Sequence, residues 1–196
     1  MHLHPTSASR RLAIVFCATL AMAPALSLAQ SGEGNAKTWQ ALKDGAIVLL
    51  RHAAAPGVGD PPGFKLGDCS TQRNLDADGQ AQALRIGKTF EAHGVKVGAV
   101  WSSAWCRAKE TGELAFPGKL RLEPAFNSFI ATPSLERIQT DTARDLLLQW
   151  IGPGALVVVT HQVNITALTG ANPRSGEGIV LKPVDGKLVQ IGRIAP

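Results

Sequence analysis

The sequence predicts an α/β fold, a three-layer sandwich in which a mainly parallel central sheet is flanked by helices. Two segments, residues 46–50 and 155–159, are apolar at every position. Strands that are apolar on both faces belong inside a sheet that is covered on both sides. Segments with helical spacing alternate with such strands along the chain, which is typical of this fold class. With 196 residues, 45% of them hydrophobic, the chain can form one domain with a sizeable core.

The first predicted elements lead to a long loop. A short helix over residues 39–43 ends at Gly45, and the apolar run 46–50 forms the first strand. Residues 52–73 are rich in glycine and proline. A loop of that length in a compact domain usually carries function.

The middle of the chain alternates helices and strands. Asp76 caps a helix that runs to about His93 and stops at Gly94. The later elements are a strand at 97–101, a helix at 105–115, a strand at 120–122, an irregular loop at 124–133, a helix at 134–150, a strand at 155–159 and a helix at 163–168.

The end of the chain reads as a β-hairpin. Residues 178–182 and 188–194 have strand composition, and Asp185-Gly186 between them is a turn signal.

The N-terminus has the pattern of a secretory signal peptide. Arg10 and Arg11 precede an apolar run over residues 12–26, and small residues stand at the positions before a cut after Ala29. We therefore expect a signal peptide over residues 1–29, a domain over 30–196, and a periplasmic or secreted protein. An uncleaved membrane anchor stays open, although the run is short and contains a proline.

Composition narrows the class of partner. The chain has 20 Lys and Arg against 15 Asp and Glu, a formal net charge of +5, and its basic residues are scattered singly. A nucleic-acid binder would show a basic cluster with interleaved aromatics, so we expect no nucleic-acid partner. The mild excess of positive charge favours a small anionic ligand.

Polar residues follow three of the predicted strands at their carboxyl ends. Arg51-His52 follows the first, Ser102-Ser103 and then Arg107 follow the second, and His161 follows the strand at 155–159. Ligands of such sheets bind at this edge. Two arginines and two histidines there suit phosphate chemistry with a histidine nucleophile, because guanidinium groups grip phosphoryl oxygens in pairs.

This ordered set resembles the histidine phosphatase superfamily, whose fold is phosphoglycerate-mutase-like. The resemblance rests on Leu50-Arg51-His52-Ala53, on Arg73-Asn74-Leu75, on Ser102-Ser103 with Arg107, and on Thr160-His161, and it spans residues 46–170. It implies that His52 is the nucleophile and becomes a phosphohistidine. It implies that Arg51, Arg107 and His161 bind the phosphoryl group. Arg73 lies near the phosphate in relatives, with an ordinary loop residue as the alternative.

The expected function is that of a phosphatase for a small-molecule phosphate ester, working without metal or organic cofactor. A phosphate-binding module that has lost hydrolysis is the alternative from another class. A mutase is disfavoured, because mutases of this family hold their intermediate under longer insertions than this chain has room for. No Cys/His spacing in the sequence is typical of a zinc site.

Two cysteines remain after signal cleavage, Cys69 and Cys106. An even pair in an exported chain suggests a disulfide. Both residues lie within a few positions of the expected phosphate site, which favours a bond between the loop after His52 and the helix that carries Arg107. Two free thiols are the alternative.

The sequence lacks a carboxylate at both of the positions where the family carries its general acid. One branch has a glutamate where this chain reads Phe126-Asn127-Ser128-Phe129, and the other has an aspartate where this chain has Gln162. We favour Asp60, since a glycine-rich loop closing over the phosphate would place its carboxyl in a drier site that raises its pKa. An exposed carboxylate without a role is the alternative for Asp60. The other candidate acids are Asp68, Glu123 and Glu177.

Overall fold

The fold is given by a computed structural model, which describes residues 1–2 and 35–196. The predicted signal peptide lies almost entirely outside the described residues, so its presence and cleavage stay predictions. In the described part of the chain, no helix has the length and apolar character needed to cross a membrane.

A six-stranded sheet forms the middle layer, with the strand order β3-β2-β4-β1-β5-β6. The strands are β1 (Ile47–Arg51), β2 (Val97–Ser102), β3 (Leu120–Leu122), β4 (Ala155–Thr160), β5 (Gly178–Val184) and β6 (Lys187–Ile194). The first four are parallel to one another, and the hairpin β5–β6 adds an antiparallel edge beside β1. The predicted hairpin turn is confirmed, with positive φ at Asp185 (48°) and Gly186 (71°), as a tight turn of this type requires.

Helices cover the sheet, and the described residues form five of them. They are α1 (35–43), α2 (Ala77–Ala92), α3 (Cys106–Ala115), α4 (Glu136–Leu148) and α5 (Gln162–Thr169). The side chain of Asp76 caps α2 as predicted, accepting from the amide of Gly79. The prediction for α4 was two residues too long at each end, because Pro133–Leu135 forms a separate 3₁₀ turn before it.

The apolar strands are buried on both faces, which confirms the three-layer sandwich. Val48 and Leu50 of β1 point to one face, where Trp39 of α1 and Phe90 of α2 join the core. Ile47 and Leu49 point to the opposite face and pack with α4 and α5. Alternate residues of a strand face opposite ways, so a continuous apolar run is what a central strand needs.

Helix α2 begins against the backbone that leaves β1. A Cβ atom at Gly79 would overlap the carbonyl oxygen of Ala54. A residue without a side chain is therefore required for α2 to approach the segment that follows His52.

Candidate active site

Three strand ends meet at one edge of the sheet, as the sequence predicts. The amide of His52 donates to the carbonyl of Thr160 at 3.0 Å, and the amide of Ser103 donates to the carbonyl of Val159 at 3.0 Å. Backbone hydrogen bonds thus join the ends of β1, β4 and β2. This places the first residues of three loops side by side.

A pocket of about 310 Å³ opens at this edge, and we call it the catalytic pocket. Five of the six residues expected in the site line it: Arg51, His52, Arg73, Arg107 and His161. Asp60, the sixth, lies behind Arg107 and contacts it.

His52 is held in one tautomer. Its Nδ1 lies 2.7 Å from the carbonyl oxygen of Ala53, which can only accept, so Nδ1 carries the proton. The other ring nitrogen, Nε2, accepts from Nε of Arg107 at 3.3 Å. Burial and, to a smaller extent, the nearby arginines outweigh the opposing effect of the Ala53 bond and together lower the pKa of His52 to about 3. The imidazole is therefore neutral at physiological pH, with its Nε2 lone pair turned toward Arg107. Sequence reasoning could not say which nitrogen this would be.

His161 lies next to His52, with ring centroids 5.3 Å apart. Its Nε2 is 2.8 Å from the hydroxyl oxygen of Ser103. Burial lowers the pKa of His161 well below its usual value, and His52 and the arginines act in the same direction. Sequence reasoning placed Ser103 at the strand end but gave it no role, because the partner of a hydroxyl depends on the packing of two separate loops.

Arg51 presents an unpaired donor. Its Nη1 donates to the carbonyl of Pro173 at 3.0 Å, while its Nε is buried without a hydrogen-bond partner in the described residues. Buried donors are nearly always paired in proteins. An unpaired guanidinium nitrogen beside this pocket indicates a place for an anion.

The guanidinium of Arg107 is bound by the carboxylate of Asp60. Its side chain is only 3% exposed, and Nη1 and Nη2 donate to the two carboxyl oxygens of Asp60 at 2.7 and 3.2 Å. The end of the guanidinium is therefore occupied. Its other edge, formed by Nε and Nη2, is directed at His52 and the catalytic pocket. Nε of this edge donates to Nε2 of His52, and the second N–H of Nη2 is left to donate to a phosphoryl oxygen.

Asp60 does not have the raised pKa expected of a general acid. Burial acts to raise the pKa of this carboxyl, but donors from Arg107, the Arg73 amide and the Trp105 indole outweigh it, and the net pKa is lowered. The indole nitrogen is 3.0 Å and the Arg73 amide 3.1 Å from the carboxyl oxygens. The prediction of a raised pKa was wrong, because the loop brings Asp60 to the cation rather than to the open side of the pocket.

Arg73 both lines the pocket and fastens the loop. Its guanidinium donates to the carbonyl oxygens of Gly59, at 2.8 Å, and Ala55. These contacts hold the glycine-rich segment against the catalytic pocket. The loop is thus built into the wall of the site.

The other candidate acids are engaged elsewhere. Asp68 accepts from Ser70 at the start of a 3₁₀ turn. Glu123 pairs with Arg121. Glu177 pairs with Arg174 and Arg193, and its pKa is lowered. No Asp or Glu of the described residues lines the catalytic pocket.

The predicted disulfide is confirmed. Cys69 and Cys106 are bonded, with their Cα atoms 5.6 Å apart. Cys69 begins a 3₁₀ turn in the loop after His52, and Cys106 is the first residue of α3, directly before Arg107. The Gln72 side chain adds a hydrogen bond to the Cys106 amide at 3.0 Å. The bond therefore fixes the loop to the helix that carries Arg107.

Among residues 1–2 and 35–196, no group of three or more His, Cys, Asp or Glu side chains is placed to hold a metal ion.

Solved structures with the same fold include phosphatases. SixA, a protein histidine phosphatase solved with tungstate, has a TM-score of 0.53 at 12% identity, over 77% of this chain and 97% of its own. The phosphoserine phosphatase of Entamoeba histolytica, solved with phosphoserine, has a TM-score of 0.56 at 14% identity, over 76% and 95%. A protein of Agrobacterium tumefaciens assigned to SixA has a TM-score of 0.54 at 20% identity, over 78% and 98%.

The amino-acid sequence itself matches no protein-family model and no curated protein. The likeness is one of structure, and at these identities it shows the fold. The chain has the histidine phosphatase fold that the sequence motifs predict.

Proposed function

We propose that the chain is a phosphomonoester hydrolase that works through a phosphohistidine on His52. The observation that carries this is the environment of the imidazole: it is buried and neutral, its Nδ1 proton is committed to the Ala53 carbonyl, and its Nε2 faces Arg107. A nucleophile needs an unprotonated lone pair beside donors that can take up phosphoryl charge.

The reaction has two displacements. In the first, Nε2 of His52 forms a bond to phosphorus as the ester P–O bond breaks and the leaving oxygen departs with the electron pair. In the second, water attacks the phosphorus of phosphohistidine, the P–N bond breaks, and inorganic phosphate leaves with His52 restored. In this scheme the phosphoryl oxygens are bound by Nε of Arg51, by the remaining Nη2 donor of Arg107 and by His161. A bound phosphoryl group favours the protonated form of His161, since opposite charges raise the pKa of an imidazole.

Asp60 acts in this scheme as a positioning residue. Its carboxylate occupies the end of the Arg107 guanidinium and so directs the remaining edge at the phosphoryl group. Because the described wall of the pocket has no carboxyl group, we expect the enzyme to favour leaving groups that depart without a carboxylic acid, such as phenols.

The location proposed is the periplasm or the exterior of the cell. The N-terminal pattern of residues 1–29 and the Cys69–Cys106 bond both fit an oxidising compartment.

The test is hydrolysis and trapping with p-nitrophenyl phosphate. The parent protein should release p-nitrophenol and, after a rapid alkaline quench, carry phosphate on His52. His52→Ala should lose both signals, whereas His93→Ala, which removes an exposed histidine at the end of α2, should keep them.

Three results would oppose the proposal. Undiminished turnover in His52→Ala would show that His52 is not the nucleophile. Saturable phosphate binding without release of p-nitrophenol would favour the binding module. Transfer of phosphate to a second alcohol in place of water would favour a mutase.

A further inference from the structure

A second cavity lies beside the catalytic pocket. It has a volume of about 500 Å³ and runs between the loop after His52, the 3₁₀ turns around Pro124 and Pro133, and α4. We call it the side groove. Ser128 lines both cavities, and the Trp105 ring, which lines the side groove, lies 5.4 Å from the ring of His161. The groove therefore begins where the phosphoryl group would be held.

Large apolar side chains from three separate elements face this groove. Leu66 comes from the loop, Leu135 from a 3₁₀ turn and Ile138 from α4, and they are 40%, 44% and 64% exposed. Residues of this kind scattered singly on a surface need no explanation, but their convergence on one concave surface does. Trp105 and Pro124 extend the same apolar lining.

Five of the six polar side chains that line the groove, all but that of Thr132, are already bonded within the protein. The Gln139 amide donates to the carbonyls of Pro124 and Asn127 at 3.2 and 3.1 Å. The Thr142 hydroxyl donates to the carbonyl of Ile138 at 2.8 Å. Glu123 is paired with Arg121. A site for a sugar would instead direct unpaired donors and acceptors at the ligand's hydroxyl groups.

We propose that the side groove binds an extended apolar group of the substrate, so that the substrate is the phosphate of an apolar alcohol or phenol. The proposal rests on the function proposed above, which places the phosphoryl group at His52. The same arginines that anchor the phosphate leave the rest of the molecule beside Ser128, where the groove opens. The mouth of the catalytic pocket has the same character, since the exposed side chains of Val58 and Ile130 flank it.

The experiment measures binding and turnover separately. Binding uses non-hydrolysable phenylphosphonates that carry ethyl, butyl or hexyl at the 4-position, titrated by calorimetry. These probes change apolar length and leave the anionic head unchanged. If each added methylene enters the groove, Kd should fall about twofold to fourfold per methylene. Turnover is measured independently with unsubstituted phenyl phosphate.

The variant Leu135→Gln with Ile138→Gln keeps the size and neutrality of the groove lining but makes it polar. It should remove most of the dependence on chain length. Ile151→Gln is the matched control, because Ile151 is 96% exposed and lies at the opposite end of the sheet, before β4. It should bind the series as the parent does.

The outcomes separate the two proposals. Equal Kd values along the series would overturn the groove proposal even if phenyl phosphate is hydrolysed, and so would a dependence of Kd on chain length that is unchanged in the double variant. If the double variant removes the dependence of Kd on chain length but the parent protein hydrolyses nothing, the groove proposal is supported and the phosphatase proposal is overturned. Equal Kd values together with a dimer that the double variant dissociates in sedimentation would show that a second copy covers the groove, and would also overturn the proposal.

Discussion

The ring of His52 is surrounded by positive charge yet carries none. Its Nδ1 proton is fixed by the Ala53 carbonyl, and Arg107 approaches its other nitrogen. Protonation would place a third cation beside the guanidinium groups of Arg51 and Arg107 in a buried site. The cost of that protonation keeps the ring neutral at physiological pH, as the proposed role of nucleophile requires, and also couples the ring to folding.

Acid should destabilise the protein partly through His52. The pKa of this group is about 3 in the folded chain and near 6.5 when unfolded, so the unfolded chain takes up the proton first as pH falls. Stability from this source is present above pH 6.5 and is lost on acidification toward pH 3. Between pH 7 and pH 4 we expect a loss on the order of 3 kcal/mol. Urea unfolding at both pH values should show a smaller loss in His52→Gln than in the parent. An equal loss in both proteins would contradict this assignment.

Asp60→Asn should lower activity by misplacing Arg107. The amide keeps the size of the side chain but weakens the grip on the guanidinium, so we expect kcat to fall by about tenfold to a hundredfold. The loss should be similar on p-nitrophenyl phosphate and on an alkyl phosphate, because positioning affects the phosphoryl group and not the leaving oxygen.

Asp68→Asn is the control within the same loop, since Asp68 is exposed and caps a short turn. A much larger loss on the alkyl ester in Asp60→Asn would restore the general-acid role.

The residues that follow the strands could be predicted, and the partner of Arg107 could not. Arg51, His52 and His161 stand directly at strand ends, and in a parallel sheet those ends share one edge. The position of Asp60 depends on the path of a loop rich in glycine and proline. Such composition permits many paths, and here the bonds from Arg73 and Trp105 select one.

At the scale of elements, the first turn of α2 supports the segment after His52. Gly79→Ala should push α2 away from Ala54, because the new methyl group would overlap its carbonyl oxygen. We expect a loss of stability of about 1 to 3 kcal/mol and reduced turnover. Gly67→Ala is the control, since a Cβ there meets open space. Urea unfolding of both variants measures the difference, and equal stability of the two would contradict the role given to Gly79.

Elements with continuous or periodic apolar patterns were predicted well, and their ends less so. Because β4 is buried on both faces, its sequence is a continuous apolar run that is easily identified as a strand. Asp76 marks the start of α2. The start of α4 was placed too early, since Pro133 suits the first position of a 3₁₀ turn as well as that of an α-helix.

For the whole molecule, the disulfide links the loop to the helix layer. Replacing both cysteines, Cys69→Ser with Cys106→Ser, should lower the free energy of unfolding by about 3 to 4 kcal/mol, because the unfolded chain gains freedom over a separation of 37 residues. Activity should fall as well, since Arg107 follows Cys106. Thermal unfolding with and without reductant tests this: reductant should lower the Tm of the parent and leave the double variant unchanged. A parent insensitive to full reduction would contradict it.

The architecture as a whole was open to prediction because it depends on pattern rather than on detail. Alternating strands and helices restrict the topology to few solutions. The side groove was not predicted, since Leu66, Leu135 and Ile138 belong to elements whose mutual packing no local pattern reveals.

The backbone bonds between strand ends have a consequence for the moment at which activity appears. β1 and β4 pair Ile47 with Leu156 and Arg51 with Thr160, partners that are distant along the chain. Contacts of this range form late and slowly in folding. Until the later half of the chain has been added to the sheet, His52 has no Thr160 carbonyl to hold its amide and no His161 beside it. A chain that crosses a membrane unfolded would therefore remain inert toward the phosphate esters of the compartment in which it is made.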